Sequence, residues 1–479
     1  MRSIIHNNKI IIILALLYIA PIVFANIHYT DDMGRAFRGY GWNADGRIFA
    51  TLLMQVISMG GTIISPYPFV YFSSALLVLS AGYIISSIFF KKDSFIFKLA
   101  CLVPLTSPFY LENLSYRYDS LPMALSVLMA VLPFKFKDTR QFCTISILCL
   151  TIALGLYQTS AFLFFAITLC IMIDDCLKGK IFQFKKPVLS ALLFITSLIL
   201  YELIIYIFDI KVGRTELLPI SPSSITIIGN RINAYTNIYH DLLESGYINA
   251  ITPTLIMLAW VIAIITLKQK TIGGVKILVS LVYLSLIVIL TTLPNLILQT
   301  AWLSSRTMIC FPVIIFPALI IGKYANSKLM PKIINASLII LIAYSFTLSC
   351  VLGTLLKSND ESNLFMASLV TSDIANTNGK EPPTVVVKGY AKPNPRSELI
   401  YNSYPIMKRI APIYIRQGWY WGVVALSRYT PMSFAWGTEH KIINDMCSYR
   451  KIKMSEIYSL RQKGNTYIID FDRDTCTND

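Results

Sequence analysis

Two carboxylates, Asp31 and Asp32, stand side by side in the segment HYTDDMGRAFRGYGWNADGR, residues 28–47, which also carries Arg35, Arg38 and Arg47. A carboxylate can accept the proton of an attacking hydroxyl while a new bond forms. Arginine is the favoured bidentate partner of a phosphate. The two together fit the transfer of a group from a phosphate to a hydroxyl. Gly34, Gly39 and Gly41 favour a loop or short helix over a regular span. Adjacent side chains diverge on either element. One aspartate can therefore face a substrate while the other orients a neighbour or binds a cation. The plainer alternative is a solvated loop whose charges only set topology.

A second set lies in LENLSYRYDSLPMALS, residues 111–126, with Glu112, Arg117 and Asp119. Ionisable groups at membrane depth are costly and usually functional. Here they are either part of a site or an ion pair locking a hairpin, with Tyr116 and Tyr118 as interfacial anchors. Tyr157-Gln158 caps a tight turn between two apolar blocks. Lys211, Arg214, Arg231 and Arg306 are placed to reach an anionic headgroup, or else to anchor and cap. Glu202 sits inside an apolar block, where an internal hydrogen-bonded pair is the expected arrangement. His6, His28, His240 and His440 form no metal-type spacing, and no Gly-rich phosphate loop, nucleotide fingerprint or HExxH is present. A soluble nucleotide sugar is therefore a poor candidate for direct donor. A divalent cation bridging carboxylate and phosphate stays open, with no ligands assigned.

These groups need a scaffold. The chain has 479 residues, 55% hydrophobic and only 14% charged, against roughly a quarter charged in soluble domains. Apolar blocks occupy about 10–26, 66–90, 95–111, 120–134, 142–157, 160–177, 187–209, 251–267, 276–298, 306–322 and 333–353, which predicts a mainly helical, polytopic membrane protein of about 11 segments. Arg2 and Lys9, with lysines and arginines at 91–98, 135–140, 178–186, 268–276 and 323–332, place 18 basic residues in one alternating set of loops. The positive-inside rule makes those loops and the amino terminus cytoplasmic and sends the tail outside. The first block ends in Val23-Phe24-Ala25, a tolerable cleavage site, but its length favours a retained anchor. The net charge of +16 lies between spans, so nucleic acid is not the expected partner. Residues 48–65 are apolar enough to span, yet a crossing there would move Lys91 and Lys92 outside. They are expected as an interfacial or re-entrant helix on the outer face, broken near Gly60-Gly61 and Pro66.

Two domains follow: residues 1–353 in the membrane, with outer loops 27–65 and 210–250, and 354–479 as a small outer α/β domain. In the latter, Asn359 is expected to start a helix ending near Ala375, and 384–388 and 466–471 read as strands. Cys447 and Cys476 can pair if the tail meets an oxidising compartment, whereas the other seven cysteines lie in or beside apolar blocks. Trp419, Tyr420 and Trp421 serve either as stacking surfaces for sugars or as domain core.

TDDMGRAFRGYGWNADGR, ENLSYRYDSLPMALS, Tyr157-Gln158 and the many-span layout with a large outer tail resemble the phage-type, serotype-converting O-antigen glucosyltransferases. The resemblance covers the membrane part; the tail is similar only in size and position. It implies a GT-C-type glycosyltransferase of the bacterial inner membrane, moving glucose from undecaprenyl phosphate to O-antigen (lipopolysaccharide) repeats on the periplasmic face. Such enzymes place a catalytic carboxylate in the first outer loop, which matches Asp31 or Asp32. Arg35, Arg38, Arg117 and Arg214 are the arginines then expected around the donor phosphate, supported by Glu112, Asp119, Tyr157 and Gln158. A donor-synthesising glucosyltransferase and a donor flippase are the expected companions. The rivals are a flippase or exporter of lipid-linked saccharide and an O-antigen polymerase. A transporter's charges should line a path to the midplane, whereas here, Glu202 apart, they gather on one face.

Overall fold

The computed structural model describes residues 2–92, 94–180, 185–213, 216–246, 274–324, 328–375, 381–472 and 476. Its main helices are α1 (Arg2–Ala25), α2 (Asp31–Arg38), α3 (Ile48–Ser58), α4 (Phe69–Phe89), α5 (Phe95–Leu102), α6 (Tyr110–Ser115), α7 (Ser120–Val131) and α8 (Thr139–Leu156). They continue as α9 (Phe162–Leu177), α10 (Lys185–Ile207), α11 (Pro222–Glu244), α12 (Gly274–Leu290), α13 (Ile315–Tyr324) and α14 (Met330–Ala375). Among the described residues, five helices are long and apolar enough to cross a membrane: Phe69–Phe89, Thr139–Leu156, Gln158–Leu177, Lys185–Ile207 and Met330–Ile374. Shorter apolar helices at Lys9–Ala25, Ile48–Ser58, Ser120–Lys135, Leu278–Leu290 and Phe311–Tyr324 accompany them. The expected block 251–267 lies outside the described residues.

The helices pack side by side in the sequence α10, α8, α7, α4, α1, α14, with α12 and α13 against α9. The block 95–111 is not one helix. It runs as α5, irregular backbone and then α6, with every residue from Ala100 to Tyr116 buried. Non-helical backbone is tolerated at this depth when protein surrounds it. Gly82 of α4 permits the close approach, because a Cβ there would sit 2.1 Å from the Cys101 carbonyl oxygen.

The bundle has two chemically distinct ends. At one, α7 begins beside Asp119 and α8 finishes beside Tyr157. The other carries Lys91 and Lys92 after α4, Lys135 after α7 and Lys178 after α9. There the buried Asp174 pairs with Lys178 at 2.5 Å and Lys323 at 3.5 Å, and Asp175 pairs with Lys186. Lys186 and Lys323 thus tie α10 and α13 to α9.

Residues 48–65 leave and return on the same face. Arg47 lies 3.3 Å from Asp119, and the Ser65 hydroxyl donates to the Arg117 carbonyl at 3.1 Å. Between them α3 has 11 residues, about 17 Å of helix, well short of a hydrocarbon core about 30 Å thick.

The helix expected to start at Asn359 does not start there. α14 is continuous for 46 residues, roughly 69 Å at 1.5 Å per residue, and carries the chain from bundle into tail. The Asn359 side chain donates to the Tyr401 hydroxyl and the Ala411 carbonyl, at 2.9 and 3.3 Å, instead of capping a new helix. The tail adds a sheet of order β2-β1-β5-β4-β3, with β1 at Thr384–Lys388, β2 at Ser433–Phe434, β3 at Arg450–Met454, β4 at Ser459–Lys463 and β5 at Thr466–Asp470. The two foreseen strands are the parallel neighbours β1 and β5, paired from Thr384↔Thr466 to Lys388↔Asp470. Both are buried on two faces, as central parallel strands are. Val385, Val387, Tyr467 and Ile469 pack with Met366, Val370 and Ile374 of α14, while Val386 and Ile468 pack with Ala435, Met446 and Tyr449. Cys447 and Cys476 are bonded, with Cα atoms 5.6 Å apart.

Candidate functional site

The polar island forms α2, and its two aspartates part company. Asp32 is fully buried and accepts from the backbone N–H groups of Tyr29, Arg117 and Tyr118 at 3.2, 2.6 and 3.0 Å. Burial and the nearby Asp119 charge push its carboxyl up to about 8, against the pull of those backbone donors and of Arg35. Asp32 is thus the pin that fastens α2 to the hairpin between α6 and α7. Asp31 keeps about a third of its side chain exposed and faces the Arg306 guanidinium at 4.0 Å.

Asp119 is the hub of the hairpin. It accepts from Arg35 at 2.8 Å, from the Trp42 indole at 2.7 Å and from Arg47 at 3.3 Å. The Arg35 guanidinium is also sandwiched with aromatic rings, 4.3 Å from Trp42 and 5.2 Å from Tyr40. Arg47 lies over Tyr157 at 4.6 Å. Glu112 is buried on the other side of the hairpin. It accepts from the Arg306 backbone N–H at 2.8 Å and from the Ser305 hydroxyl, and burial raises its carboxyl. Arg306 donates to the Tyr116 hydroxyl and lies over the Tyr116 and Trp302 rings at 4.9 and 5.9 Å. The Tyr157 hydroxyl donates to the Arg306 carbonyl at 3.2 Å, and Gln158 donates to the Asp45 carbonyl at 2.9 Å.

Four stretches far apart in sequence, 31–47, 112–119, 157–158 and 302–306, therefore meet at one end of the bundle. Of the expected arginines, Arg35 is buried on Asp119. Arg117 turns its side chain to Asn26, at 3.1 Å, and to the Tyr67 ring. Arg38 is exposed, and Arg214 lies outside the described residues. Arg231 caps backbone carbonyls of Asn295, Leu296 and Gln299 at 2.9–3.1 Å. Glu202 is exposed near the end of α10 instead of forming an internal pair. Sequence reasoning gave no role to Trp42 and little weight to Arg306. The signals were there: Trp42 and Arg47 share the island, and Arg306 closes a polar step after Trp302 between apolar blocks.

Among the described residues, Asp31 and Asp45 are the carboxylates of this cluster with no hydrogen-bond donor of their own, and of the two Asp31 is the one that faces Arg306. A cation here would have Asp31 as its protein ligand and draw the rest of its shell from phosphate and water. Burial and then Arg117 and Arg428 push the His28 imidazole down to about 4, so it stays neutral at neutral pH.

The tail holds this site in shape. Thr30, just before α2, has φ 40° and ψ −107°, a strained conformation for a non-glycine residue. Its N–H donates to the Tyr414 hydroxyl at 3.3 Å, and the Tyr29 hydroxyl donates to the Ile410 carbonyl. Trp421 packs on Gly34, where a Cβ would lie 3.2 Å from the indole. Trp419 packs edge-on to Tyr414 at 5.5 Å and under Arg416 at 3.9 Å, a structural role.

The family model described as glucosyl transferase GtrII matches residues 20–321, which include every segment of this cluster. The chain belongs to the GtrII glucosyl transferase family. It is also similar to an uncharacterized 55.3 kDa protein in the gtrB 5′ region of Salmonella phage P22, 32% identical over 170 residues. That match covers 34% of this chain and 35% of the relative, about a third of each. No solved structure matches the chain.

Proposed function

We propose that the chain transfers a glucosyl residue from a polyprenyl phosphate, undecaprenyl phosphate in a bacterial inner membrane, to O-antigen repeats on the periplasmic face. The observation that carries this reading is Asp31, an uncommitted carboxylate facing the Arg306 guanidinium at 4.0 Å inside a GtrII-type chain. Asp31 accepts the proton of the acceptor hydroxyl. That oxygen attacks the anomeric carbon, the bond from that carbon to the phosphate oxygen breaks, and the polyprenyl phosphate leaves. A single displacement of this kind inverts the anomeric centre. Arg306 holds the phosphate, with Arg38 and Arg117 as the further cations of the same face. Asp119, Glu112, Tyr157 and Gln158 fix the positions of those groups. Donor binding by Arg35 is not part of this proposal, because Asp119 and two rings already occupy it.

A cavity of about 650 Å³ lined by Leu217, Leu218, Ile220, Ile225, Ile228 and Ile297 is apolar, which supports a lipid-linked donor. The Cys447–Cys476 bond supports an oxidising compartment for the tail, and the lysine-rich opposite end supports a cytoplasmic face there. The exporter reading loses ground because Glu202 does not mark a path through the bundle.

Expression of the chain in a cell that makes polyprenyl-phosphate glucose should add glucose to the surface O-polysaccharide. Deleting the donor-synthesising transferase should abolish the addition, and Arg306→Lys should reduce it, since lysine keeps the charge without the planar fork. Glucose addition that persists without that transferase would point to another donor.

A further inference from the structure

A group of aromatic rings on the tail sits beside α2 and has no part in the chemistry above. Tyr420 and Trp436 lie 5.0 Å apart with their planes 32° from parallel. Phe434 backs both, edge-on at 5.8 and 4.8 Å. Trp436 is 69% exposed. Tyr420 also touches Trp421 at 5.0 Å, and Trp421 is the residue that packs on Gly34. Gly34 is three positions along α2 from Asp31, which makes the two neighbours on the helix surface. Tyr40, 40% exposed, brings its hydroxyl to within 2.9 Å of the same Gly34 Cβ position.

We propose that Tyr420 and Trp436, backed by Phe434, form the platform on which the acceptor saccharide chain lies, joined to the helix of Asp31 through Trp421 and Gly34. This rests on the glycosyltransferase reading above and adds the acceptor subsite to it. Pyranose rings present flat faces of C–H groups with hydroxyls at the rim. A binding surface for them needs exposed aromatic area bordered by a few hydrogen-bonding groups. Trp436 is followed by Gly437, Thr438, Glu439, His440 and Lys441, a polar border of that kind. An open platform also suits a polymer, which has to pass across the site without threading a closed pocket.

The test uses the full-length protein purified in detergent and the delipidated surface polysaccharide of the source cell. Binding is followed by calorimetry for the wild type, Trp436→Ala and Trp436→Phe. Trp436 is exposed, so both variants should fold normally. Loss of one stacked ring should weaken binding on the order of tenfold in Trp436→Ala, and Trp436→Phe should restore most of it. Transfer assays should show the same loss as a raised KM for the acceptor, with kcat near wild type. Unchanged polysaccharide binding in Trp436→Ala overturns the platform. So does quenching of the Trp436 emission, taken as wild type minus variant, by brominated lipid in proteoliposomes, which would make it a bilayer anchor. If the wild type binds polysaccharide through Trp436 but forms no glycosidic bond, the platform stands and the transferase reading falls.

Discussion

Asp31→Asn is expected to lower glucosyl transfer by about 10²–10⁴-fold, the usual loss when a general base is removed. Membrane insertion, yield and thermal stability should stay near wild type, because among the described residues Asp31 accepts no hydrogen bond whose loss would loosen the fold. Asp32→Asn should behave in the opposite way. Both Asp32 oxygens accept from backbone N–H groups. Relative to the ionised carboxylate, present above about pH 8, an amide there turns one acceptor into a donor aimed at a donor. Leaving a buried N–H unsatisfied costs about 1–3 kcal/mol, so the variant should melt earlier, and its activity should fall only as far as the hairpin contact loosens. Parallel measurement of transfer rate and melting temperature separates the two. A wild-type rate in Asp31→Asn would shift the base to another group and leave Asp31 a charge-balancing partner of Arg306.

The second large effect falls on Asp119. Its side chain and that of Arg35 are 4% and 3% exposed. Asp119→Ala strands the Arg35 guanidinium in the interior and removes the partner of the Trp42 indole. Breaking one side of a buried ion pair costs about 3–5 kcal/mol, enough to reduce the amount of folded protein. Replacing both members by apolar residues, Arg35→Met with Asp119→Leu, should recover much of that stability, as such pairs allow. It should not recover full activity, because Arg47 and Trp42 lose the anchor that places the loop behind Asp31. Thermal unfolding in detergent gives the first quantity, and surface glucose at matched protein level gives the second. If the single variant were as stable as the wild type, Asp119 would not be the hub of this end of the bundle.

Much of the site was legible because its residues break a strong pattern. Charges at 31–47 and 112–119 stand out against apolar blocks, and they do converge. That the two aspartates point apart was legible; which of Asp31 and Asp32 is buried was not. It depends on which side chain meets the N–H groups of Arg117 and Tyr118, some 85 residues away, and local sequence carries no such information. Arg306 was undervalued for the same reason: its importance comes from Glu112, Tyr116 and Tyr157, none near it in sequence. In the fold, periodicity located the strands at 384–388 and 466–470 because both are short apolar runs bounded by turn residues. It misjudged 95–111, where burial in protein removes the need for a continuous helix. It also misplaced a helix start at Asn359, whose side chain finds tertiary partners and leaves α14 unbroken.

The most direct measurement places the purified chain in liposomes with polyprenyl-phosphate glucose labelled in the sugar, and adds delipidated O-polysaccharide. Mass spectrometry of the recovered polysaccharide then reads the outcome. The expected result is labelled glucose in a new glycosidic bond, formed by the wild type and lost in Asp31→Asn. Labelled lipid carried across the bilayer with no glucose on the polysaccharide would contradict it and make the chain a transporter.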